Sequence, residues 1–270
     1  MIKKIFCIST LTLLLQMQLI NGAIAGATNE ELKGSKKTTD ECFEGFSRTM
    51  FKFNHALDKV ILKPIAKGYR ALPTPIRKGT GNVTDNLRSL LTLSNNILQG
   101  NFGSAGNTAA RFGINTTAGI LGIFDPATKL GFEEEGKEDF GQTMGVWGAS
   151  SGCYFVLPFL GPTTTRDVVG LVGNTILDPV YQITHNTEIR NGVVGNGNYS
   201  EHNYYYYRGT STVDFRAKNV ESFESLEENS IDLYASLKSL YLQNREKQIS
   251  NSTSSVETQN DDDWEEIDTK

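Results

Sequence analysis

The stretch FEGFSRTMFKFNHALDKVILKPIAKGYR, residues 43–70, carries the reading on which the fold turns. Phe46, Met50, Phe53, Leu57, Val60, Ile61 and Pro64 recur at intervals of three and four with one adjacent pair, which predicts a helix with a narrow apolar stripe. Arg48, Lys52, Lys59, Lys63 and Arg70 fall on the opposite side, with Lys67 nearer the edge. Pro64 has no backbone N–H and crowds the turn before it, so the helix is expected to kink or end near Lys63. Between Ser47 and Arg88 stand nine basic residues against two acids, Asp58 and Asp85. An aromatic and aliphatic stripe opposite a Lys/Arg face suits a helix lying in the interface of an anionic membrane. A soluble bundle would turn the same stripe onto a core, so the pattern alone leaves both placements open.

Both ends of the chain read differently from this body. Residues 1–25 have Lys3 and Lys4, a mainly apolar run and Ala23-Ile24-Ala25 before Gly26, the layout of a cleaved secretory signal peptide. Residues 26–40 read as a flexible leader, 41–249 as one helical domain, and 250–270 as a disordered acidic tail with seven acids and one Lys. The tail and the signal account for most of the charge, leaving the body at about −1, so nucleic acid is excluded as a partner for want of a basic domain. Cys7 goes with the signal; Cys42 and Cys153 are an exported pair that spacing neither joins nor separates. Two cysteines and scattered histidines (His55, His185, His202) hold no zinc pattern, and no metal or other cofactor is expected.

Along the body, LPTPIRKG reads as a proline-rich turn and 83–99 as a second helix ending at Gly100. In the glycine-dense segment that follows, Ala109, Gly113 and Thr117 form a small-xxx-small row of the kind that lets helices approach closely. FEEEGKEDFGQ reads as an acidic surface loop, and VWGASSGCYFVLPFLGP as irregular or membrane-depth backbone. Thr164 and Asp167 stand in a capping-box relation, so a helix should follow and stop at Asp178-Pro179. NGVVGNGNYSEHNYYYYRG reads as a polar, tyrosine-rich loop, and the period from Val213 to Tyr241 as one long C-terminal helix. No alternating strand pattern persists, so the class is mainly α.

One catalytic pattern is present. Gly148-Ala149-Ser150-Ser151-Gly152 matches the nucleophile elbow G-x-S-x-G, and Asp167 or Asp178 followed by His185 or His202 keeps the chain order of a hydrolase triad. That elbow needs a strand entering the serine and a helix leaving it, and FGQTMGVW and CYFVLP supply neither. No phosphate-binding glycine loop with Lys-Ser/Thr occurs. A phospholipase-like hydrolase using Ser150 and a purely structural envelope protein stand as the alternatives to binding or transport.

FEGFSRTMFKFNHALDKVILKPIAKGYR, LLTLSNNILQGNF, RFGINTTAGILGIFDPA, EDFGQTMGVWG and YFVLPFLGPTTTRDVVG resemble, block by block and in order, the VacJ/MlaA family of Gram-negative outer-membrane proteins. The resemblance covers residues 43–179, with GPTTTRDVVG the sharpest block; the last third is assigned by position only. It implies a ring-shaped bundle of amphipathic and glycine-rich helices enclosing a channel, embedded in or on the membrane at the periplasmic face of the outer membrane. It also implies a non-enzymatic role: phospholipid mislocalised in the outer leaflet is removed and passed to a periplasmic lipid carrier, beside a trimeric outer-membrane porin. On that basis Arg166 is expected to face the phosphate path or to pair with Asp167, and Arg48, Lys52 and Arg111 are further candidates for headgroup contact. The chain departs from the family in one respect. Many members carry a lipidated cysteine after the signal, whereas Cys7 and Cys42 (in TTDEC) lack a lipobox context, so no lipid anchor is expected.

Overall fold

In the computed structural model the first helix, α1 (Glu44–Leu57), runs through a π-helical turn, Asp58–Leu62, straight into α2 (Lys63–Arg70). Of the kink or end expected near Lys63 the end is absent, and the helix is disturbed there only by the wider turn. The wider turn lies just ahead of Pro64, where a ring that cannot donate to the Val60 carbonyl is accommodated without breaking the helix. The structure describes residues 42–186, 189 and 201–250. The expected signal peptide, the leader and all but the first residue of the acidic tail lie outside them.

The long helix α3 (Thr74–Leu98) begins at Thr74, not near residue 83. Pro75 sits in its first turn, where a missing N–H leaves no carbonyl unsatisfied, so the proline-rich stretch starts the helix. The glycine-dense segment forms α4 (Phe102–Thr117), capped by Asn101, whose side chain accepts from the Ser104 N–H. Next come α5 (Pro126–Lys129), α6 (Phe140–Val146), and an antiparallel hairpin, β1 (Tyr154–Leu157) and β2 (Gly161–Thr164), paired from Tyr154 with Thr164 to Leu157 with Gly161. That hairpin replaces part of the backbone expected to be irregular. α7 (Thr165–Leu177) stops where the sequence placed its end, and α8 (Pro179–His185) follows.

The expected single C-terminal helix is three: α9 (Glu201–Lys218), α10 (Val220–Asn229) and α11 (Leu233–Ile249). Asn219 leaves the helical region, and Asp232 accepts from the Ala235 N–H, so local side-chain chemistry divides a continuous apolar period. Tyr204 to Tyr207, expected in a loop, lie in α9. The fold is mainly α.

α3 packs along α4, α6 against α7, α9 across α2 and α3, and α1 against the hairpin. The tightest of these approaches is α6 on α7: a Cβ at Gly170 would lie 2.6 Å from the Gly141 nitrogen, and one at Gly173 2.1 Å from the Phe140 ring. The row Ala109, Gly113 and Thr117 is exposed, and at Gly113 it is not set against a neighbouring helix among the described residues, a correction to its expected role; α4 turns Ala105, Thr108 and Asn115 inward. Cys42 and Cys153 form a disulfide that ties the approach to α1 to the hairpin.

What these elements bury is unusual. Among the described residues, nineteen buried side chains are polar or charged and ten are apolar. Of the seven buried residues of α3, Thr84, Asn86, Thr92, Asn95 and Asn96 are polar. Outside, Phe43, Phe102, Leu121, Phe159 and Ile176 are each more than half exposed. A water-soluble domain places these classes the other way round. No helix among the described residues is long and apolar enough to cross a membrane.

Candidate functional site

The polar stripe of α3 faces α4 across a cavity of about 590 Å3, counting its open mouth. Asn82, Asp85, Asn86, Ser89 and Thr92 recur at helical spacing along one wall. Thr108, Arg111 and Asn115 of α4 form the other, and the segment after α5 closes one side with Glu134, Glu135 and Lys137. That acidic segment, expected as a plain surface loop, thus belongs to the site, and its Glu138 is buried, donating its N–H to the Thr92 hydroxyl at 3.3 Å.

Arg111 is the one candidate from the sequence that lines this cavity. Its guanidinium donates to Asp125 Oδ2 at 2.9 Å, to the Thr128 hydroxyl at 2.9 Å and to the Phe132 carbonyl. Asn115 donates to the other oxygen of Asp125 at 2.9 Å and accepts from the Ala127 N–H. Burial works against the Asp125 carboxylate, yet hydrogen bonds from Thr128 and Asn115, with Arg111 behind them, hold it below its ordinary range. Lys137 pairs with Asp85 at 2.5 Å. Arg88, which sequence reasoning did not single out, also lines the cavity; its Nε is buried and has no hydrogen-bond partner among the described residues. The available signal was a cation inside the polar stripe of TDNLRSLLTLSNN.

Arg166 and Asp167 belong to a separate cluster. Thr164 accepts from the Asp167 N–H at 3.3 Å, which is one half of the expected capping box. The other half does not form because the Asp167 carboxylate is engaged by Arg245 at 2.6 Å, the Tyr241 hydroxyl at 2.5 Å and Arg166 at 3.2 Å. Arg166 is buried, donates also to the Ala149 carbonyl at 3.4 Å, and does not line the cavity. Of the two roles expected for it, the geometry is that of pairing with Asp167.

The basic face of α1 and α2 meets α10. Lys63 and Lys67 pair with Glu224 at 2.9 and 3.0 Å, Lys59 with Glu227, and Arg70 with Glu221. The two lysines draw the Glu224 carboxyl down to about 2. Arg48 pairs with Glu44 at 2.7 Å and Asp232 at 2.9 Å and lies over the Tyr234 ring. Lys52 is exposed and has no ion pair among the described residues. The face expected to meet anionic lipid is thus largely paired with an acidic helix, whereas the stripe opposite it is open: Phe46, Phe53, Val60 and Ile61 are exposed.

Ser150 lies exposed in the coil between α6 and β1, with no strand leading into it. Asp167 is engaged as above, Asp178 caps α8 by accepting from Val180, and His185 stacks on Tyr181 at 3.9 Å. No group of residues that could hold a metal ion occurs among the described residues.

Against known proteins, the chain is 37% identical over 146 residues to an uncharacterised protein of Rickettsia typhi, covering 53% of this chain and 58% of the relative, so the match spans little more than half that relative's length. It is 31% identical over 252 residues to the intermembrane phospholipid transport system lipoprotein MlaA of Haemophilus influenzae, covering 91% of this chain and 94% of that one. A solved structure described as the structural basis for maintenance of bacterial outer membrane lipid asymmetry superposes with a TM-score of 0.64 at 28% identity, covering 78% of this chain and 99% of its own. The model of the MlaA lipoprotein family matches residues 39–248, and the chain belongs to that family.

Proposed function

We propose that this protein moves phospholipid between the membranes of a bacterial envelope, taking lipid mislocalised in the outer leaflet of the outer membrane and passing it to a periplasmic carrier beside a trimeric porin. The observation that carries the reading is the reversed distribution of polarity: a polar cavity between α3 and α4 inside a body whose apolar side chains face out. Exposing two acyl chains to water costs about 0.8 kcal/mol per methylene, on the order of 20 kcal/mol in all. A chain without a nucleotide-hydrolysis motif can lower that barrier by letting the headgroup pass through a polar interior while the acyl chains stay in apolar surroundings. The family's ring and channel fit this division, with the α3–α4 cavity as a stretch of the headgroup path and Arg111 beside it. The protein works at the outer membrane, exported by its signal peptide, and performs no bond-making chemistry.

The test is outer-leaflet phospholipid labelling in a strain deleted for the gene, with and without the gene restored. Accumulation outside that the restored gene reverses is expected. An unchanged outer leaflet overturns the reading, and release of lysolipid abolished by Ser150→Ala would replace it with hydrolysis.

A further inference from the structure

We propose that the α3–α4 cavity binds a zwitterionic phospholipid headgroup, its phosphate on Arg88 and its ammonium on Glu134 and Glu135. The proposal rests on the transport reading and names its substrate class. It follows from which charges in the cavity are already committed. Of three cations on its walls, Arg111 is held by Asp125 and Lys137 by Asp85. Arg88 has no ion pair among the described residues, and its Nε is buried without an acceptor. A guanidinium carries five donors in a planar fork that suits phosphate, and among the described residues no carboxylate or carbonyl engages the terminal nitrogens of Arg88, which lines the cavity.

The anions divide in the same way. Asp85 and Asp125 are spent on the two paired cations. Glu135 accepts only from the Asn107 amide among the described residues, at 3.0 Å, and Glu134 has no hydrogen bond or ion pair there. Four carboxylates against three cations give the lining a net charge of −1. A doubly charged free phosphate is therefore a poor occupant. A phosphodiester with an attached amine matches one cation and two carboxylates of the lining that have no ion pair of their own, whereas a glycerol headgroup brings hydroxyl donors but no positive charge to offset those carboxylates.

The experiment is calorimetric titration of the full mature chain in detergent with dihexanoyl phosphatidylethanolamine, dihexanoyl phosphatidylglycerol and inorganic phosphate. The ethanolamine lipid is expected to bind more tightly than the glycerol lipid. Arg88→Gln should weaken both lipids about tenfold or more, the worth of a charge-assisted hydrogen bond, with Arg88→Lys in between. Glu134→Gln with Glu135→Gln should abolish the preference without weakening the glycerol lipid; Glu134 is exposed and Glu135 half-buried, so this variant decides the matter if Arg88→Gln fails to fold. Equal binding of the two lipids, an unmoved affinity in Arg88→Gln, or inorganic phosphate binding as tightly as either lipid would overturn the proposal. If the restored wild-type gene re-establishes outer-leaflet asymmetry while these titrations fail, only the headgroup assignment falls; if it does not, the transport reading falls whatever the titrations give.

Discussion

Arg245 of α11 reaches two carboxylates at once, Asp139 at 2.7 Å and Asp167 at 2.6 Å, with its side chain 12% exposed. Burial by itself would raise both carboxyls, but the guanidinium outweighs it and holds each below its ordinary range. Their folded pKa values thus lie under the unfolded ones, so the stability they contribute is present above about pH 4 and is lost as pH falls through the lowered values. Arg245→Gln leaves the mostly buried Asp139 without its cation and Asp167 with Arg166 alone, at a cost of roughly 3–5 kcal/mol at neutral pH. The loss should shrink towards pH 3, where the stranded carboxyls are protonated. Urea unfolding at pH 7 and near pH 3 measures this, and an equal loss at both would show that the pair is not the source. This cluster also marks the limit of local reading. Thr164 and Asp167 were legible as a cap because three positions separate them, but Arg245 lies 78 positions from Asp167, and nothing between them announces the contact.

The β1–β2 hairpin is fixed from three directions. Asn54 of α1 donates to the Leu157 carbonyl and accepts from the Phe159 N–H, both at 2.8 Å, Phe53 meets the Phe159 ring edge-on, and Cys153 is bonded to Cys42. The tip so held presents Phe159 and Leu160, 78% and 66% exposed. A rigid apolar tip suits insertion into lipid, so Phe159→Asp with Leu160→Asp should lower partitioning onto vesicles by tenfold or more, since burying each side chain is worth about 1.5–3 kcal/mol. Co-flotation with liposomes reads this, and unchanged flotation would place the contact elsewhere. The disulfide closes a separation of 111 residues, and replacing Cys42 by Ser should cost about 2–5 kcal/mol in urea unfolding. The hairpin escaped the sequence for a physical reason. Tyr154 and Val156 are buried and alternate with Phe155 and Leu157, but those are apolar too, so the period of two leaves no trace in hydropathy.

At the scale of the molecule, amphipathicity says that a helix has two unlike faces, not which of them looks inward. The stripe on α1 was readable from spacing, and so was the basic face opposite, but their surroundings depend on α10 more than a hundred residues later. Glu221, Glu224 and Glu227 lie three apart on that helix, one facing side, and pair with Lys59, Lys63, Lys67 and Arg70 in a ladder that leaves one positive charge in excess. With that row satisfied internally, attachment to a bilayer falls to the exposed apolar residues, so it should depend little on lipid charge or salt. The protein is expected to bind neutral phosphatidylcholine vesicles as well as vesicles containing phosphatidylglycerol, within about twofold, from about 50 mM to about 500 mM salt, over which the Debye length falls about threefold. Steep loss with salt would mean that the cations face the membrane, at about 1 kcal/mol for each one that reaches an anionic surface. The converse variant settles which arrangement holds. Replacing Glu221, Glu224 and Glu227 by Gln releases the row, and it should create a salt-sensitive preference for anionic vesicles that the wild type lacks, while binding to neutral vesicles stays the same.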